Sequence, residues 1–240
     1  LRLRPTLAEA LANRGYAKAT KRDFQGAISD CTAAIALQPK LADAFNGRGA
    51  SKHALGDHDG AIADLDEAIS LRPSHVRTYV NRALVKHAQS DFDGAIADCL
   101  EAIRLQPDHA EAYLTCGNAR KAKGLLDEAI RDFSQAIKLR PSYHEALFNR
   151  GNARRLKGDC DGAIADFTEV IRLRPTDAEA FNVRGTAKNE KGDSDGALRD
   201  YDDALRLTPA YAEAYYNRGV IKLRSGDLDR VVCPRRGSAG

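Results

Sequence analysis

The side chains best suited to contacting another molecule are asparagines. Asn13, Asn81, Asn149 and Asn217 follow one another at intervals of 68 residues, with Asn46, Asn118, Asn152 and Asn182 close by in sequence. A carboxamide offers both a donor and an acceptor, the pair that a peptide backbone needs. These eight are the candidate binding residues. The plainer alternative is that asparagine is a tolerated polar residue on a solvated face.

Other constellations lead nowhere. Asp57-His58-Asp59-Gly60 and its copies at 91–94, 159–162 and 193–196 have the flavour of a calcium loop. Their glycine falls at the fourth place instead of the sixth, and Ala68 stands where the closing glutamate is needed. Helix caps are the better use for those acids. His53 and His87, and likewise His75 and His109, recur 34 residues apart, too far in a stack of helices to share a metal. The five cysteines form no Cys-x-x-Cys pair and are odd in number, so neither a disulfide framework nor a zinc site is expected. Unpaired thiols fit a reducing compartment such as the cytoplasm, though the localisation stays open. Phosphate-loop, Gly-x-Ser-x-Gly and His-Glu-x-x-His patterns are absent. No enzyme activity and no cofactor are expected.

Composition narrows the partners. The formal net charge is only +3, from 37 basic and 34 acidic side chains, which gives no electrostatic reason to expect nucleic acid. No apolar run approaches the length of a membrane helix, so membrane insertion is not expected.

The elements that carry these residues repeat. Pro5, Pro39, Pro73, Pro107, Pro141, Pro175 and Pro209 are spaced by 34 residues, a period that fixes the architecture before any local reading. Small residues keep the same beat at Gly15, Gly49, Ala83, Gly117, Gly151, Gly185 and Gly219, and again at Ala27, Ala61, Ala95, Ala129, Ala163 and Ala197. Each period reads as two helices. Residues 42–55 run without proline to the Gly56-Asp57 stop and cap. In 59–71, Ala61, Ile62, Leu65, Ala68, Ile69 and Leu71 mark one helical face that ends at Pro73.

The period, the small positions and the closing proline, as in Ala-Phe-Asn-Gly-Arg-Gly (44–49), Gly-Ala-Ile-Ala-Asp-Leu (60–65) and Ala-Ile-Ser-Leu-Arg-Pro (68–73), resemble the tetratricopeptide repeat (TPR) family. The resemblance implies an all-α fold, a TPR α-solenoid of antiparallel helix pairs in a right-handed superhelix whose first helices line a groove. The expected segments are 1–7 as the tail of a preceding repeat and full repeats at 8–41, 42–75, 76–109, 110–143, 144–177 and 178–211. A partial repeat at 212–229 would act as a cap helix, followed by a disordered tail at 230–240. By the same resemblance the sixth repeat position, held by Asn13, Asn81, Asn149 and Asn217, faces the groove and is similar to the asparagine ladder of a nucleocytoplasmic sugar transferase. A chaperone-tail clamp is not expected, because no fifth position supplies its lysine.

The chain departs from the family at two columns of the first helix. Position 7 is Arg14, Arg48, Arg82, Cys116, Arg150, Arg184 and Arg218, and position 11 is lysine or arginine throughout. The second helices carry Asp30, Asp64, Asp98, Asp132, Asp166 and Asp200. Matching columns favour a ladder of ion pairs between packed helices over a stripe that binds an acidic partner, and removing Asp132 or Asp166 is expected to cost stability. The second repeat position is mostly acidic, with Arg77 the exception, and could tilt a groove towards basic ligands or simply suit a helix N-terminus.

The reading that follows is a scaffold that binds a protein or peptide ligand in its concave groove. Two alternatives remain: a self-assembly module that forms oligomers through the terminal repeats or the repeat faces, and the substrate-recognition arm of an enzyme whose catalytic domain lies outside these residues.

Overall fold

A computed structural model describes residues 6–224. The expected tail at 1–5, the end of the partial repeat at 225–229 and the segment 230–240 lie outside the described residues. The described chain is all α-helix, without a strand. The helices are α1 (Leu7–Thr20), α2 (Phe24–Leu37), α3 (Ala42–Ala54), α4 (His58–Leu71), α5 (Val76–Ala88), α6 (Phe92–Leu105), α7 (Ala110–Ala122), α8 (Leu126–Leu139), α9 (His144–Leu156), α10 (Cys160–Leu173), α11 (Ala178–Lys191), α12 (Ser194–Leu207) and α13 (Ala212–Arg224).

The boundaries follow from local chemistry. Asp23, Asp57, Asp91, Asp159 and Asp193 each accept the backbone N–H three residues on, capping a second helix. The aspartates that resembled a calcium loop are therefore helix caps. Thr6 and Glu9 form a capping box at α1. Between the helices of a pair the chain turns through a left-handed residue: Gly56, Gly124, Gly158 and Gly192 in four turns, Arg22 and Ser90 in two. Each second helix stops at a leucine two residues before a proline.

The chain divides into two compact bodies, Leu1–Leu139 and Arg140–Gly240. In the first, α1–α2, α3–α4, α5–α6 and α7–α8 are antiparallel pairs, and α2, α4 and α6 also pack on the helix that follows. In the second, α9–α10 and α11–α12 pair in the same way, α10 packs on α11, and α12 on α13. Within each body successive first helices touch (α1 on α3, α3 on α5, α5 on α7; α9 on α11, α11 on α13), and among the described residues no second helix touches the next second helix. The first helices therefore sit on the inside of the curve.

The small positions set the spacing. Ala27, Ala61, Ala95, Ala129, Ala163 and Ala197 are wholly buried. A methyl on Gly49 would stand 2.9 Å from Leu65 Cγ, and one on Gly151 2.8 Å from Phe167 Cε1. The large side chain of the second helix thus lies directly on the backbone of the first. The core is a row of small clusters, such as Ala61, Leu65 and Val85 with Ile62, or Ala163, Phe167 and Ala187 with Phe148.

Candidate binding surface

The charged columns meet inside the helix pairs. Arg48 grips Asp64 with two nitrogens (Nε–Oδ2 2.9 Å, Nη2–Oδ1 2.6 Å) while Lys52 Nζ lies 2.8 Å from Oδ2. The same fork recurs at Arg14–Asp30, Arg82–Asp98, Arg150–Asp166 and Arg184–Asp200. These pairs clamp the two helices of one repeat together. The remaining guanidinium nitrogen reaches back to the previous second helix: Arg48 to Thr32, Arg82 to Asp66, Arg184 to Thr168, Arg218 to Asp202. Position 7 is arginine because only its planar fork serves two helices at once.

One rung differs. Cys116 replaces the arginine, and Asp132 keeps only Arg120 (Nη1–Oδ2 2.6 Å) and a contact with the Cys116 thiol. Burial raises the Asp132 carboxyl above the usual carboxylate range. By contrast, the hydrogen bond from Arg14, aided by Lys18, lowers Asp30 to about 2. Cys99 packs beside Cys116, and the hydrogen bond between the two thiols, together with burial, raises the Cys99 thiol far above its usual range. Burial likewise pushes Cys31 up to about 11. Neither is a poised nucleophile. Among the described residues no three His, Cys, Asp or Glu side chains are arranged to hold a metal.

The inner face of the first body carries a cleft of about 510 Å³, lined among others by Asn13, Tyr16, Asp43, Asn46, His75, Arg77 and His109. A second hollow of about 300 Å³ shares Tyr16, Asn46 and Arg77 and adds Asn81 and Glu111. Three candidate asparagines are thus brought together. Asn13 is exposed. Asn81 Nδ2 donates to Asn46 Oδ1 at 2.9 Å, which fixes both amides and leaves the Asn46 amide group and the Asn81 oxygen pointing away from that bond. Arg77 donates to Tyr16 Oη (3.2 Å) and lies over its ring at 5.9 Å. Asp43 is paired with Arg72 at 2.8 Å. Burial lowers the pKa of His75, so its ring is neutral near pH 7, with Nδ1 2.7 Å from Thr78 Oγ1.

The second body has its own inner hollow of about 210 Å³, lined by His144, Glu145, Phe148, Asn149, Val170, Arg174, Asp177 and Glu179. Burial, then Asp177 and Glu213, raise the Glu179 carboxyl. Such an acidic corner is relieved by an incoming cation.

The remaining asparagines are placed elsewhere. Asn182 is fully buried, holding Asn217 (Nδ2–Oδ1 3.1 Å) and lying 3.4 Å from Tyr211 Oη. It serves the packing of α11 against α13 and is not available to a ligand in this arrangement. Asn118 and Asn152 are half-buried and line none of these hollows. Sequence reasoning passed over Tyr16, which has no distinguishing spacing. It noted Arg77 only as the odd member of an acidic column, and that oddness was the available signal.

Models of the tetratricopeptide repeat match residues 12–76, 47–110 and 114–178, and a TPR model matches 185–226. The chain belongs to the tetratricopeptide repeat family. No curated protein matches it. Among solved structures, this TPR chain is similar to MamA, with 27% identity, 69% of this chain and 96% of that one covered, and a TM-score of 0.64. It also shares the fold of YrrB, described as a TPR protein with an unusual peptide-binding site (21% identity, 82% and 98% covered, TM-score 0.64). The third is a tetratricopeptide repeat protein from Parabacteroides merdae (20% identity, 92% and 87% covered, TM-score 0.71).

Proposed function

We propose that this TPR chain is a protein-interaction scaffold that holds an extended segment of a partner polypeptide against the inner face of its first helices. The observation that carries the reading is the cleft of about 510 Å³ with its adjoining hollow, where Asn13, Asn46 and Asn81 sit beside Tyr16 and Arg77. Amides on neighbouring first helices suit main-chain groups, and the tyrosine–arginine stack supplies a flat wall for a side chain. Family membership and the YrrB likeness support a polypeptide ligand over a small molecule. In the second body the hollow beside Asn149, where Glu145, Asp177 and Glu179 stand with Arg174, is suited to a polar or basic side chain of a ligand.

A random peptide library displayed on phage and selected on the full chain tests this. Peptides that bind the wild type should lose about 1 kcal/mol per missing hydrogen bond when Asn13→Ala and Asn81→Ala are combined, with helicity retained by circular dichroism. Selected peptides whose affinity ignores both asparagines and Arg77→Ala would remove the groove from the account.

A further inference from the structure

The second position of the first helices is acidic at Glu9, Asp43, Glu111, Glu145, Glu179 and Glu213, and Arg77 alone inverts the sign. That inversion falls inside the cleft of about 510 Å³ in the first body, where Asp43 and Arg77 both line the wall. Asp43 is already engaged: Arg72, at the end of α4, grips both of its oxygens at 2.8 and 3.1 Å. Arg77 makes no ion pair among the described residues. Its Nη1 donates to Tyr16 Oη at 3.2 Å and its guanidinium lies over the Tyr16 ring. Glu111 shares the adjoining hollow with Arg77 but does not line the cleft. The cleft therefore holds one guanidinium without a counter-charge.

The neighbouring groups are donors. His109 Nδ1 accepts the backbone N–H of Ala112 at 3.2 Å, which places a ring proton on Nε2. Asn46 Oδ1 accepts from Asn81 Nδ2, so the uncommitted half of the Asn46 amide is its N–H group. Arg77 keeps most of its N–H donors after the one bond to Tyr16. The tyrosine ring fixes the plane of the guanidinium and so presents a ready fork, the shape that matches a carboxylate. An uncompensated cation ringed by donors in a concave site is complementary to an anion.

We infer that Arg77 selects the partner by taking a glutamate or aspartate side chain of the bound segment, forked against the Tyr16 ring, with Asn46 and His109 as flanking donors. The inference rests on the scaffold reading above and adds to it the chemistry of one ligand position. The acidic second position of the neighbouring repeat does not cancel this preference in the cleft, because Asp43 is neutralised by Arg72 where it stands.

Random peptides displayed on phage and selected on the full 240-residue chain supply the probe. The enriched sequences are synthesised with both ends blocked, so that side chains hold their only carboxylates. The expected result is one position rich in glutamate or aspartate. Exchanging that acid for its amide in the peptide should weaken binding about tenfold, and Arg77→Gln in the chain should do the same. The two changes together should weaken it no further than either alone. Arg77→Glu should come to prefer the peptide with lysine at that position. Melting temperature establishes that the Arg77 variants fold, and the exchange in the peptide keeps the test decisive if they do not. Peptides that depend on Asn13 and Asn81 but show no acid preference, or ignore Arg77→Gln, would overturn this inference and leave the scaffold reading standing. Peptides indifferent to the asparagines and to Arg77 alike would overturn both. Binding that survives loss of the acid but requires an unblocked C-terminus would put a main-chain carboxylate in the cleft and overturn the inference too.

Discussion

At the scale of single residues, one chemical motif is used repeatedly: a carboxylate withdrawn from water and held by two cations. Removing a carboxylate from such a site strands its partners. Asp166→Ala leaves Arg150 and Arg154 facing a buried gap, and the expected loss is about 3 kcal/mol, read as a fall in melting temperature well beyond that of an exposed control such as Asp195→Ala. An unchanged melting temperature would deny the clamp. Asp132 behaves differently, because its fork donor has become Cys116. A carboxyl whose folded pKa is raised favours the folded state below its unfolded value, and that contribution disappears as pH rises through the folded value. Asp30, held at about 2, has the opposite sign: its contribution is present above the unfolded value, about 4, and is lost as pH falls through about 2. Cys116→Arg should therefore restore the missing fork, lower the Asp132 pKa below that of the wild type, and raise stability at pH 7. Cys31 already sits beside Arg48 in the first body, so a cysteine neighbour does not obstruct the guanidinium. Carboxyl titration by NMR on wild type and variant checks the direction, and an Asp132 pKa that stays raised would contradict it. The sequence announced the columns. It did not show that the forks close within a repeat while the spare nitrogen reaches back to the one before, since column spacing alone does not assign partners.

At the scale of helices, glycine marks a contact between two backbones' worth of side chain, not flexibility. Gly151→Ala would push a methyl to 2.8 Å from Phe167 Cε1, so the buried Phe167 ring or the helices that hold it must shift. The expected cost is about 1–3 kcal/mol. Gly219→Ala meets nothing among the described residues and should gain up to about 1 kcal/mol from helix propensity alone. Thermal melts of the two variants should move in opposite directions, and a loss at Gly219 as large as that at Gly151 would show the last helix to be covered. Helix existence and the places where helices stop were legible from Pro73 and its equivalents, from Gly56 and from the capping aspartates. The asparagine column was legible only in part. Asn13 and Asn46 line one hollow and Asn46 and Asn81 the adjoining one, but Asn182 lies on the same sequence beat as Asn46 and is buried beneath Tyr211 and Asn217. A 34-residue period fixes the direction of a side chain; what the neighbouring helix places above it depends on the size of residues from another repeat.

At the scale of the molecule, each body stacks repeats whose first helices touch and whose second helices splay apart, and the inner side of the first body is where Asn13, Asn46, Asp43 and Arg77 gather. Stability and binding therefore use different surfaces: the clamps lie between helices of a pair, and the cleft lies across first helices. The most direct measurement of that division is site-specific photo-crosslinking of a library-selected peptide. A benzophenone side chain at Tyr16, inside the cleft, should capture the peptide in high yield, and the same group at the exposed Glu67 of the second helix α4 should not. Capture at Glu67 with none at Tyr16 would place the ligand on the outer helices and contradict the account.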